Sequence, residues 1–147
     1  MNYLDPSALI KRFVAEQGSL LVRRLVTREG PIATAKVAYA EAYSGLTRKH
    51  REGNLSVGQY AQACRQFERE WPAYVRVDLQ DEILHLARDL IRRHPLRGFD
   101  ATHLASALTL KQALREDITF AATDDRLLRA ASAEHLQALN VETAAVS

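Results

Sequence analysis

The chain has 147 residues, 47% of them hydrophobic and 26% charged, a balance that excludes a disordered protein and leaves enough length to bury one core. Its one cysteine, Cys64, excludes an internal disulfide; no Cys/His cluster has zinc spacing, and no apolar run is long enough to span a bilayer. The net charge of +2 is unevenly spread, with 12 Lys/Arg against 7 Asp/Glu in residues 1–77 and 8 against 11 in residues 78–147, so the basic excess lies in the first half. The N-terminus lacks the basic, apolar and small-residue pattern of a signal peptide, which makes a cytoplasmic, non-membrane protein the expectation.

Tyr3-Leu4 reads as a short strand ending at Asp5, and Pro6 suits the first position of a helix that runs to about Val14. Gly18 breaks that helix, and Leu20, Leu21, Arg24 and Leu25 begin a second, which stops near Gly30. Pro31 to Thr34 is a second strand, followed by a helix from about Ala35 to Arg51 closed at Gly53. Ser56 is placed to cap the next helix, which Pro72 terminates. Tyr74 to Val77 is rich in β-formers and reads as a third strand. Ile83, Leu86, Ala87, Leu90 and Ile91 form an amphipathic stripe, closed by Pro95 and Gly98. Ala101, Leu104, Ala105 and Leu108 make another, predicting a helix from about Phe99 to Leu114. Ile118 to Ala121 is a fourth strand, Asp125 to Ala133 a short helix, and Val141-Glu142-Thr143 a final strand.

Strands alternating with helices require crossover connections, so the expected fold is α/β: a three-layer α/β/α sandwich with a mainly parallel sheet of four to five strands, spanning 1–147 as one domain. No repeat or low-complexity segment divides it.

Four acidic residues stand out. Asp5 and Asp124 each follow a predicted strand, and ligands of open α/β sheets bind at the carboxyl ends of strands. Asp100 opens the Phe99 helix. All three also suit helix N-caps, a role worth about 1 kcal/mol. Glu41, inside a predicted helix among Val37, Ala40 and Ser44, has no capping role; it either turns inward or pairs with Lys36 or Arg48 at the surface. If the four converge, repulsion is the deciding quantity, because two carboxylates about 4 Å apart cost roughly 4 kcal/mol at an effective dielectric of 20. Such a cluster calls for a cation, and oxygen ligands without cysteine select Mg²⁺ or Mn²⁺ over zinc.

Tyr3-Leu4-Asp5-Pro6-Ser7-Ala8-Leu9-Ile10-Lys11, Ala40-Glu41, Leu96-Arg97-Gly98-Phe99-Asp100-Ala101-Thr102-His103-Leu104-Ala105 and Thr123-Asp124-Asp125-Arg126-Leu127 together resemble a PIN-domain ribonuclease of the VapC toxin type. The resemblance covers nearly the whole chain and implies a Mg²⁺-dependent endoribonuclease, with Mn²⁺ as substitute, belonging to a toxin-antitoxin pair. By motif, Asp5 and Asp100 carry over as metal ligands and catalytic residues, with Glu41 and Asp124 completing the catalytic acids. Ser7 matches a small hydroxyl residue beside the first Asp, where an ST-turn is the alternative. Lys11 is a second substrate-binding candidate, although a cation there also suits the helix dipole. The implied partners are RNA, a VapB-like antitoxin and a second copy of the chain in a homodimer.

His103 reads as part of the helix motif rather than as a ligand, since an oxygen-rich Mg²⁺ site needs no imidazole. Arg48-Lys49-His50-Arg51 is explained by the helix dipole as well as by RNA binding, and Tyr39, Tyr43 and Tyr60 by the core as well as by base stacking. Two rivals stand beside the nuclease: a PIN-like module that binds RNA or protein without cutting, and a phospho-acceptor domain. The second requires paired acids at the first strand and a late lysine, whereas no Lys follows Lys111.

Overall fold

The computed structural model describes residues 1–146. Its elements are β1 (Asn2–Leu4), α1 (Pro6–Leu9), a 3₁₀ turn (Ile10–Arg12), α2 (Ser19–Arg28), β2 (Ile32–Ala35), α3 (Ala38–Arg51) and α4 (Val57–Glu70). A second 3₁₀ turn (Trp71–Ala73) leads to β3 (Val75–Val77), α5 (Asp81–Arg93), α6 (Gly98–Leu114), β4 (Thr119–Ala122), α7 (Asp125–Ala133) and β5 (Gln137–Asn140). The strands form one five-stranded sheet in the order β3-β2-β1-β4-β5, and every pairing is parallel. The expected α/β sandwich is the observed fold.

Strand order fixes where a ligand can enter. From β1 the chain builds outward through β2 to β3, then returns to the other side of β1 with β4 and β5. The switch therefore falls between β1 and β4, whose carboxyl ends open a crevice between diverging connections. Tyr3 pairs with Phe120 in that central ladder and Leu4 with Ala121. Successive side chains alternate between faces: Tyr3 and Phe120 pack with α5, α6 and α7, whereas Leu4 and Ala121 pack with α1 to α4.

Several boundaries differ from the sequence reading. The first helix ends at Leu9 and tightens into the 3₁₀ turn rather than reaching Val14. β2 extends through Ala35, so α3 begins at Ala38 and Glu41 falls in its first turn. The last strand is Gln137–Asn140, not Val141 to Thr143, because α7 delivers the chain to the β4 ladder at Gln137↔Thr119. Gln137 and Ala138 are exposed at the sheet edge and carry little apolar signal, whereas Val141 is a buried anchor in the turn beyond the strand. Ser56 does cap α4, in a reciprocal capping box with Gln59. No helix among the described residues is long and apolar enough to cross a membrane.

Candidate active site

Asp5 leaves the end of β1 and caps α1. Its Oδ2 accepts hydrogen bonds from the Ser7 N–H at 3.1 Å and the Ser7 hydroxyl at 2.6 Å, and the side chain is almost wholly buried. Burial pushes its carboxyl above the ordinary carboxylate range; His103 and the Ser7 hydrogen bonds pull it back, and the Asp100 charge raises it further. Ser7 is held between the switch-point strands, since its Oγ also accepts from the Thr123 N–H at 3.3 Å.

Asp124 sits two residues beyond β4 and caps α7 through Oδ1, which accepts from the N–H groups of Arg126 at 2.8 Å and Leu127 at 3.1 Å. Its Oδ2 faces Arg97 at 3.8 Å. Capping and site membership are therefore compatible, because a carboxylate has two oxygens. Asp125 instead points to Asn140.

Asp100 is not a cap. Arg97 holds the N-cap position of α6, and Asp100 lies in the first turn, where its Oδ2 is 3.5 Å from Arg97 Nε. Partial burial raises the Asp100 carboxyl; Arg97 opposes the shift, and the Asp124 charge adds to it. Glu41 is not paired with Lys36 or Arg48. Its Oε1 is 2.7 Å from His103 Nε2, while Lys36 pairs with Asp78.

Asp5, Ser7, Glu41 and Asp100 line one open cavity of about 390 Å³, with Ser44, Arg48 and Arg97 at its walls. Arg97 and Asp100 also line an adjoining cavity of about 610 Å³, with Asp124, Asp125, Arg126 and Arg129. The four acids are thus brought to the carboxyl end of the sheet, in two joined cavities that share Arg97 and Asp100. Lys11 is not among them: its side chain is buried, and its ammonium pairs with Glu16 at 3.0 Å and Glu142 at 3.7 Å. It ties the turn after α1 to the segment after β5, which leaves a substrate phosphate no route to it. Of the basic run in α3, Arg48 alone reaches the acidic cavity; Lys49 pairs with Glu16, and His50 stacks on Tyr60. Tyr39 and Tyr43 pack against Phe67 as core-edge aromatics.

Sequence reasoning gave no site role to Arg97 or Tyr3, and read His103 as part of the helix motif only. Arg97 was legible as a cation three places before Asp100, close enough on a helix start to meet it. Tyr3 and His103 were not, because their contact joins residues 100 apart in sequence, Tyr3 Oη lying 2.8 Å from His103 Nδ1.

An open parallel α/β sheet with carboxylates gathered at its switch point defines the class: an α/β domain with an acidic crevice at the carboxyl ends of its central strands. The chain belongs to the PIN-domain family, whose profile matches residues 3–133. It is similar to ribonuclease VapC45 of Mycobacterium tuberculosis strain CDC 1551, at 36% identity over 108 residues covering 74% of this chain and 75% of the relative. Ribonuclease VapC49 of strain H37Rv matches to the same extent. Among solved structures, FitAcB from Neisseria gonorrhoeae superposes with a TM-score of 0.67 at 12% identity, covering 98% of this chain and 100% of the other. A toxin-antitoxin complex from Klebsiella pneumoniae gives 0.64 at 14% identity, covering 96% and 98%. At such identities the structures show a shared fold.

Proposed function

We propose that this chain is a Mg²⁺-dependent endoribonuclease and the toxin of a toxin-antitoxin pair. The observation that carries the reading is the gathering of Asp5, Glu41, Asp100 and Asp124 at the switch point of a PIN fold similar to named ribonucleases. Among the described residues, no three His, Cys, Asp or Glu side chains are close enough to cage a metal unaided. Mg²⁺ does not need such a cage, since it takes one or two carboxylates and keeps several waters. Asp5 and Asp100 fit that demand: each is at least partly buried, each is raised by burial, and each is raised further by a neighbouring carboxylate. When bound there, Mg²⁺ or Mn²⁺ supplies Lewis acidity toward the scissile phosphate and its attacking water.

The chain's own residues do the rest. Ser7 holds Asp5 Oδ2 in place. Glu41 presents a carboxylate at the cavity wall that orients the attacking water. The exposed Arg97 guanidinium, set between Asp100 and Asp124, offsets their charge in the metal-free protein and is close enough to screen charge developing on phosphate. Arg126 and Arg129 lie one helical turn apart on α7 along the same cavity and offer it a phosphate-binding flank. By family, the antitoxin covers this acidic crevice, and a homodimer is the expected assembly.

Cleavage of a structured RNA by the wild type, Asp5→Asn and Asp100→Asn tests the reading. Each substitution should lower the rate by more than the roughly 10–100-fold typical of losing a residue that merely supports a metal ligand. Both folded variants cutting at the wild-type rate would sink the proposal. RNA binding without cleavage by the wild type would favour the non-catalytic module.

A further inference from the structure

We infer that Tyr3 and His103 form a buried column whose task is to fix the carboxylate of Glu41 at the site, making both of them positioning residues. The inference rests on the nuclease reading above. Tyr3 is 0% and His103 1% exposed, and neither lines the acidic cavities. The column runs from Tyr3 Oη to His103 Nδ1 at 2.8 Å and from His103 Nε2 to Glu41 Oε1 at 2.7 Å.

Donor chemistry sets its direction. An ionised carboxylate only accepts, so Nε2 carries the hydrogen that Glu41 receives. A ring with that single N–H presents Nδ1 as an acceptor, and the tyrosine hydroxyl supplies the matching donor. A phenol hydroxyl carries its proton at neutral pH, and Tyr3 Oη is within hydrogen-bond distance of Nδ1. Packing fixes the base of the column: the Tyr3 ring stacks on Phe120 at 5.3 Å between centroids and meets the imidazole edge at 6.1 Å.

Placement links the column to the site. Tyr3 stands two residues before Asp5 in β1, and His103 lies three residues after Asp100 in α6. The elements that deliver the two proposed metal ligands therefore also aim the third acid, which comes from α3. Without His103, the Glu41 side chain would be free about three torsions at the cavity wall.

A buried imidazole that only filled the core would be blind to whether Glu41 is present. Two isosteric halves of histidine separate the cases: His103→Gln keeps an amide N–H near the Nε2 position and so toward Glu41, whereas His103→Asn keeps an amide oxygen near the Nδ1 position to accept from Tyr3. In RNA cleavage with saturating Mg²⁺, His103→Asn should lower kcat about 10–100-fold with KM for RNA unchanged. His103→Gln should recover most of the loss. In a Glu41→Ala background, His103→Asn should cost nothing further, since the two act as one unit. Additive losses, or equal losses in the Gln and Asn variants, would overturn the inference.

Imidazole ¹⁵N NMR of the folded wild type gives a readout independent of activity. The Nε2–H tautomer is expected, becoming mixed in Glu41→Ala; an Nδ1–H ring in the wild type, or a ring indifferent to Glu41, overturns the column. If the wild type cuts no RNA, the nuclease reading fails and the NMR arm alone decides the column.

Discussion

Burial of Asp5 makes the folded, metal-free protein bind a proton there more tightly than the unfolded chain does, because its folded carboxyl is raised. Stability of the metal-free protein is therefore lost as pH rises from the ordinary carboxylate value through the raised one, and the full penalty is present above it. Asp5→Asn should raise the melting temperature in EDTA at neutral pH, since the amide oxygen still caps α1 while the buried charge is gone; a lower melting temperature contradicts this. Glu16 has the opposite sign. Burial alone would raise its carboxyl, but hydrogen bonds from Lys49 and Lys11 hold it below the ordinary range, so its contribution is present at neutral pH and lost as pH falls through the lowered value. Lys11→Met should accordingly lower stability while leaving KM for RNA unchanged, as cleavage kinetics beside melting curves would show. The residue scale is also where sequence reading reached least far. Asp5 and Asp124 were visible because strand ends and cap positions are local features. The partner of Glu41 was not, because it comes from a helix whose packing only the fold decides.

At the scale of elements, α7 and the turn before α2 carry separate loads. Arg126 and Arg129 face the cavity while Leu127, Leu128, Ala130 and Ala131 are buried, so the helix presents its cations without disturbing the core. Arg126→Gln with Arg129→Gln should raise KM for RNA, leave kcat near the wild type, and flatten the salt dependence of binding by roughly 0.7 per lost phosphate contact. An unchanged salt slope would remove the arginines from the RNA path. Gly18 has φ +88°, and a Cβ there would stand 2.7 Å from the Val141 carbonyl oxygen. Gly18→Ala should therefore cost more than about 1 kcal/mol in chemical denaturation. Most elements were legible from periodicity, caps and glycine or proline stops. β5 was misplaced because an exposed edge strand owes its position to the ladder of its neighbour, whereas Val141-Glu142-Thr143 offered only β-propensity.

For the whole molecule, the sheet order is what turns scattered acids into a site. Asp5 and Asp124 come from the ends of adjacent strands at the switch, and α3 and α6 bring Glu41 and Asp100 in from opposite faces of the sheet. A cation that binds only this assembled arrangement should stabilise the fold by mass action, by about 2.7 kcal/mol at a hundredfold excess over its Kd. Melting in Mg²⁺ or Mn²⁺ against EDTA reads that gain, which should vanish in Asp100→Asn. The most direct measurement is cleavage of an end-labelled RNA by the purified chain across a MgCl₂ titration, with EDTA as the zero point. Metal-saturable cutting that is absent in EDTA and absent in Asp100→Asn is the expected result; cutting of equal rate with and without metal contradicts a Mg²⁺-dependent nuclease.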